Sequence, residues 1–376
     1  MKVKLNEIFE KPISGEWGTE LEDGQNGVNV IRTTNFTNLG RLYLEDVVQR
    51  KIDIDKYKNK ILKYGDIIIE KSGGSPSQPV GRVVIFEEND EIYFCNNFTS
   101  ILRPTKLINS KYSLYLMKDL YKKGKVLKYQ NKTTGIINLK LADYLNNIDV
   151  ILPTINNQIK IANVLDKSQE LIDKRKEQIE ALDELVKSKF IEMFGDVITN
   201  SKGWETELLG EICDLKAGKN IKAKDIYEES TDGLYPCYGG NGLRGYVKNY
   251  SHEGNINLIG RQGALCGNVK YAKGKFYATE HAVVTQPKVE INSYWLHFVL
   301  RELDLNRLST GAAQPGLTVG KLNEVKIPKI PMELQNQFSD FVKQVDKLKF
   351  EMEKSLKELE DSFNSLMQRA FNGELF

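Results

Sequence analysis

From residue 156 to 194, Leu165, Ile172, Ile179, Val186 and Met193 recur at intervals of seven, with no Gly or Pro before Gly195. That spacing predicts one long amphipathic helix. Residues 333 to 371 repeat the pattern: Phe338, Val345, Met352, Leu359 and Leu366 hold the same interval, Leu356 and Phe363 form an adjacent stripe, and Gly373 supplies the stop. At about 1.5 Å per residue each helix reaches roughly 60 Å, longer than a small domain is wide, so each apolar seam needs a partner. Where the second helix has Val345, Met352 and Leu366, the first has Ser168, Arg175 and Lys189. Two copies of the first helix would bury charge against each other, so an antiparallel pairing within one chain is favoured.

The two helical stretches are also copies. At a constant offset of 177, Gln158 falls on Gln335, Ile161 on Phe338, Leu165 on Val342, Leu182 on Leu359 and Phe194 on Phe371. Both follow a Pro-punctuated strand, at 148–153 and 323–331. Chance amphipathic helices share an apolar phase, but not the proline approach and the glutamine as well. The regions between them repeat more faintly. GDIIIEKSGG at 65–74 resembles GNINLIGRQG at 254–263, and GRVVIF at 81 and GNVKYA at 267 each lead to a second β-rich run ending at Pro104 and Pro287. Each half therefore reads as short β-strands with Gly turns followed by a long helix: an α+β chain with two mixed domains and a pseudo-twofold internal repeat. The boundaries fall at 1–150, 151–196, 197–330 and 331–376.

At 376 residues, with 40% hydrophobic and 28% charged positions, the chain is too long for one domain and too apolar for disorder. No apolar run suits a membrane span, and Glu7 and Glu10 stand where a signal peptide keeps an apolar stretch, so a cytoplasmic location is expected. Cys95, Cys213, Cys237 and Cys266 are too widely spaced for a CxxC site, which argues against a structural metal and against disulfides. The net charge of +2 conceals a division. Residues 1–150 carry 23 Lys and Arg against 19 Asp and Glu, and 197–330 carry 17 against 14; the helical stretches carry 7 against 9 and 6 against 9. Basic domains on mildly acidic helices suit an anionic partner.

Catalytic machinery is not legible. His252, His281 and His297 show no HxxxH or HExxH spacing, there is no GxSxG elbow or GKS/GKT loop, and the Pro-Pro dipeptide of a base-holding methyltransferase loop does not occur. Gly240-Asn-Gly242-Leu-Arg-Gly245 fits the dinucleotide pattern GxGxxG, but it leads into the β-like GYVKNY rather than a helix, so a Gly-rich turn is the better reading. Nucleic-acid contacts fit better. Lys118, Lys122, Lys123, Lys125, Lys128 and Lys132 alternate with Tyr121, Tyr129 and Gln130, setting phosphate-neutralising charge beside aromatic and amide groups. In the Gly turns, Lys71, Ser72, Gln78 and Arg82 of the first half, and Asn241, Arg244, Arg261 and Gln262 of the second, are the residue types that read base edges. His281, beside Glu280, joins them. Taken singly, each also has an ordinary structural use.

With these strings assembled, the chain resembles the specificity subunit of type I restriction-modification systems. The resemblance rests on Leu152-Pro153 leading to Gln158, Ile330-Pro331 leading to Gln335, the endings Phe194-Gly-Asp and Ala370-Phe-Asn-Gly-Glu-Leu375, and the turn from Tyr238 to Tyr246, and it covers nearly the whole chain. It implies a non-catalytic chain with two target recognition domains, each reading half of a bipartite site in double-stranded DNA. The two helices would pair antiparallel as a coiled-coil spacer. It also implies two methyltransferase (modification) subunits and restriction/translocase subunits as partners. S-adenosylmethionine would belong to the modification partner, and ATP and magnesium to the restriction partner. A helical scaffold with protein-binding β domains, and the recognition part of a single-chain methyltransferase or nuclease, are the competing expectations.

Overall fold

The computed structural model describes residues 1–22, 24–75, 77–133, 136–263, 265–311 and 315–375, apart from the side chains of residues 132 and 133. The chain folds into two compact units, residues 1–175 with 355–376, and residues 176–354.

Each unit carries the same strand order. In the first, Ile13–Ser14, Thr99–Leu102, Ile67–Glu70 and Val83–Ile85 lie side by side, all antiparallel. In the second, Cys213–Ala217, Ala282–Pro287, Ile256–Gly260 and Val269–Ala272 do the same. A second sheet in each unit contains one parallel pair, Val28–Ile31 with Tyr93–Cys95 and Tyr235–Gly239 with Lys275–Ala278. The first sheet is covered on both faces, which is why its strands read as unbroken apolar runs. Ile67 and Ile69 enter a core shared with the helix Ser110–Lys122, whereas Ile68 points the other way, into a smaller core with Ile31, Phe86 and Cys95. Ile259 and Leu258 divide in the same manner in the second unit.

The long helices span Ile155–Phe194 and Met332–Phe371, 40 residues each, one residue earlier at the start than the periodicity predicts. Gly195 and Gly373 follow them with φ of 78°, the left-handed cap that glycine adopts without strain. In the first unit Ile161 and Leu165, near the start of the first helix, share a core with Met367 and Ala370, near the end of the second. In the second unit Phe190 and Phe194 pack edge-on against Phe338. Start meets end in both places, so the helices run antiparallel within the chain. Burial is deepest at these ends: Ile179, Leu182, Met352 and Leu359 are half-buried, and Leu171, Leu185, Leu348 and Phe350 are exposed.

The repeated glutamine ties each long helix to its neighbouring domain. Gln158 is 1% exposed; its Nε2 donates to Leu107 O and Pro153 O, and its Oε1 accepts from Asn109 N at 2.9 Å. Asn109 in turn caps the helix Ser110–Lys122 by accepting from Tyr112 N. Gln335 repeats the clasp: Nε2 donates to Ile330 O at 2.8 Å, and Oε1 accepts from Asn292 N, whose side chain caps the helix Ser293–Glu302. A buried amide must satisfy both ends, and here it does so by joining the loop before one helix to the cap of another.

Candidate nucleic-acid interface

In the second unit four of the five sequence-predicted residues converge, and Arg261, next to Gln262 in the chain, is not among those that line the cleft. Asn241, Arg244, Gln262 and His281, with Gly239, Gly240, Gly242, Leu243 and Gly263, line an open cleft of about 390 Å³. Three stretches of chain meet there. The hairpin Tyr235–Gly239 to Gly242–Val247 holds the GxGxxG string, so that motif is a β-turn with no helix behind it. Gly240 rests against the strand end at Gly260, where a Cβ would lie 2.0 Å from Gly240 O, so a side chain at 260 would push the hairpin away. Arg261 N donates to His281 O at 3.0 Å, fixing the turn that follows the strand Lys275–Ala278. The third stretch is held by Leu317 N and Gly263 N, which donate to Arg261 O and Pro315 O.

The side chains that line the cleft are polar or cationic, Leu243 excepted. Among the described residues neither Arg244 nor Arg261 forms an ion pair, and Arg244 and Gln262 are exposed. His281 Nε2 lies 3.3 Å from Glu280 Oε1. Among the described residues Arg261 Nε, Thr279 Oγ1 and Glu280 Oε2 are buried without a hydrogen-bond partner. Such atoms normally cost about 1–3 kcal/mol each when left unsatisfied, so their gathering beside an open cleft points to a polar occupant.

The first unit places its candidates differently. Lys71 is half-buried; Nζ donates to Ser14 Oγ at 2.6 Å, and burial lowers its pKa from the usual lysine range. Ser72 Oγ donates to Asn138 Oδ1, and Gln78 is exposed on a turn closed by Ser75. Arg82 faces inward. It grips Glu70 with two bonds of 2.8 and 3.1 Å, and the Glu70 side chain is 4% exposed, so the guanidinium is committed to a buried carboxylate rather than to solvent. Gln130 is similarly engaged, Nε2 donating to Val80 O at 3.1 Å. Lys125 and Lys128 are exposed, and the side chain of Lys132 lies outside the described residues.

The lysine stripe is not one solvated face. Lys118 is turned inward, where Nζ donates to Leu39 O and burial draws its pKa down to about 8. Lys122 donates to Asn364, Lys123 pairs with Asp119, Tyr121 donates to Pro79 O and Tyr129 packs edge-on to Tyr144. These groups serve the domain's own packing.

The repeat also sits one residue away from the alignment of the Gly-turn strings, which sets Lys71 opposite Gly260. Lys71 N donates to Phe98 O as Arg261 N donates to His281 O, and Leu139 N donates to Lys71 O as Leu317 N donates to Arg261 O. Lys71 is thus the counterpart of Arg261, Ser72 of Gln262, and Phe98 of His281. Phe98 is a candidate that the structure alone brings forward; its trace in the sequence is an aromatic residue directly after Asn96-Asn97.

His297 and His252 are packing residues, stacked on Tyr294 and Phe276. All four cysteines are buried, and burial pushes the Cys95 and Cys213 thiols up to about 11 and about 12. Among the described residues no cluster of His, Cys, Asp and Glu could hold a metal ion, and no helix is long and apolar enough to cross a membrane.

The family model described as the type I restriction modification DNA specificity domain matches residues 1–181 and again 201–361. The chain belongs to this family. Relatives of the same family include the type I restriction enzyme EcoprrI specificity subunit of Escherichia coli, 52% identical over 129 residues. That match covers 34% of this chain and 32% of the relative, so it spans about a third of the E. coli protein. The putative type I restriction enzyme MjaX specificity subunit of Methanocaldococcus jannaschii is 24% identical over 367 residues, 91% of this chain and 84% of that one. The fold is shared with the S subunit of a type I restriction-modification system from M. genitalium, with TM-score 0.62 and 20% identity over 99% of this chain and 96% of that one. The doubled family match agrees with the doubled topology, and the turn from Tyr238 to Tyr246 lies inside the second matched segment.

Proposed function

We propose that this chain is the DNA-reading subunit of a type I restriction-modification enzyme. Residues 1–150 and 197–330 each read one half of a bipartite, asymmetric site in double-stranded DNA. The helices of 151–196 and 331–376 set the spacer and dock two methyltransferase subunits, which restriction/translocase subunits join. The chain itself is non-catalytic and acts in the cytoplasm: S-adenosylmethionine belongs to the modification partner, and ATP and magnesium to the restriction partner.

The observation that carries the reading is the cleft of the second unit. It is lined by Arg244, an exposed glutamine and an exposed asparagine, and Arg261 adjoins Gln262 in the chain. Among the described residues neither arginine forms an ion pair, and Arg261 Nε, Thr279 Oγ1 and Glu280 Oε2, next to the lining residues, are buried without a hydrogen-bond partner. Arg pairs bidentately with guanine O6 and N7, and Asn or Gln with adenine N6 and N7, so these side chains suit the edges of base pairs.

The test is the methylated motif. With the modification partner present, Arg244→Ala is expected to relax one position in one half of the motif and to leave the other half intact, at about 1–3 kcal/mol of discrimination. Arg244→Ala that weakens binding to all sequences alike and flattens the salt dependence would make it a phosphate contact. A motif and a salt dependence both unaltered by Arg244→Ala and Arg261→Ala would refute the DNA-reading role of the cleft.

A further inference from the structure

The turn at 96–99 in the first unit is built like the turn at 279–282 in the second. Asn96 N donates to Ile31 O as Thr279 N donates to Tyr238 O, both at 2.9 Å, and Thr99 N closes on Asn96 O as Ala282 N closes on Thr279 O. Phe98 occupies the place of His281, which lines the cleft of the second unit.

The turn is held from several sides. Phe98 O accepts from Lys71 N at 2.9 Å and from Ser72 N at 3.2 Å, and Thr99 Oγ1 donates to Asn96 O at 2.8 Å. Beneath it, Gly15 approaches so closely that a Cβ there would stand 2.0 Å from Asn96 O. On this rigid floor Phe98 is 46% exposed, beside an exposed Asn97, and among the described residues it makes no ring-to-ring contact. One exposed apolar side chain on a surface needs no explanation. Phe98 differs by its position: its carbonyl accepts from Lys71 N and Ser72 N, the counterparts of Arg261 and of the cleft-lining Gln262.

We propose that Phe98 is a specificity-determining residue of the first recognition domain, its ring entering one half-site and partly unstacking a base step there. The inference rests on the DNA-reading function proposed above and gives the first unit a mode of reading that the second, with histidine at that place, does not share. Apolar side chains such as Phe act as wedges between base pairs. The energy of opening a step depends on its sequence, pyrimidine–purine steps yielding most easily, so a fixed wedge selects sequence without a hydrogen bond to any base. A fixed backbone suits this role, because a turn that gave way would transmit no strain to the DNA.

The experiment uses the chain in complex with its modification partner, after the methylated motif has been read from the DNA of cells expressing both. Duplexes carry the motif with 2-aminopurine replacing one adenine at a time, on either strand within the half-sites and in the base pairs that flank them, the methylated base excepted. Binding is expected to raise the fluorescence at one step of one half-site. Phe98→Ala should abolish that rise and reduce methylation of the motif roughly tenfold, the scale set by base–aromatic stacking. Phe98→Leu, which keeps an apolar wedge, should retain part of both signals. The proposal is overturned if no fluorescence change in either half depends on Phe98, or if Phe98→Ala methylates the same motif at the same rate. Arg244→Ala in the same assay separates the two levels. If it relaxes its half while Phe98→Ala changes nothing, the wedge is wrong and the DNA-reading function stands; if neither variant alters the motif, both fall.

Discussion

Arg82→Ala is expected to cost stability rather than base discrimination. Arg82 Nε and Nη2 reach the two oxygens of Glu70, and the side chains are 19% and 4% exposed. Truncating the arginine leaves a carboxylate at the end of the strand Ile67–Glu70, with the apolar Ile67 and Ile69 behind it and no second cation paired to it among the described residues. Breaking a buried pair from one side costs about 3–5 kcal/mol, because the remaining charge keeps its desolvation penalty and loses its compensation. That is a large share of the roughly 5–15 kcal/mol that a folded domain possesses. The structure supplies an internal control: replacing both partners, as Arg82→Met with Glu70→Leu, removes both charges, so the double variant should recover most of the loss. Urea unfolding at neutral pH measures the totals, and hydrogen exchange of the amides at 67–70 localises them. If Arg82→Ala unfolds at the parent's urea concentration and relaxes one position of the methylated motif, the ion pair is dispensable and Arg82 reads a base after all.

Gln335→Ala strips partners from Asn292 N and Ile330 O together and should cost about 2–4 kcal/mol, whereas Gln262→Ala, exposed in the cleft, should stay within about 0.5 kcal/mol; thermal unfolding of the two variants distinguishes clasp from surface. His297 makes stability depend on pH. Burial first, then Arg301 and Lys270, push its pKa down to about 4 from the ordinary 6.5. The unfolded chain therefore takes up the proton before the folded one, so stability is lost as pH falls from 6.5 through 4, by an amount on the order of 3 kcal/mol. His297→Leu, the residue at the equivalent Leu114 of the first unit, should flatten the slope of stability against pH in that window whatever it does to stability at pH 7, and an unchanged slope would show that other groups carry the acid sensitivity.

The amino-acid pattern by itself determined the long helices, their glycine stops, their antiparallel partnership and the doubling of the chain. Each of these rests on information repeated along the backbone. A seven-residue period over about 40 positions fixes which face is apolar, and an offset held without a gap marks a duplicated unit. The glutamines were visible as a signature, but not as clasps, because their partners Asn109 and Asn292 lie 49 and 43 residues away. What tertiary structure alone decided is which polar groups remain available. Arg82 and Arg244 are the same residue type in comparable Gly-rich surroundings; strand pairing brings Glu70 to the first and, among the described residues, no carboxylate to the second. Lys118 and Lys128 belong to one lysine-rich run, yet the end of a helix turns one inward and the following 3₁₀ turn leaves the other outside. The counterparts Lys71 and Arg261, Phe98 and His281 were hidden by a one-residue slip that string similarity cannot detect. In a β-strand that slip exchanges the two faces, and only the hydrogen-bond register between strands distant in sequence resolves it.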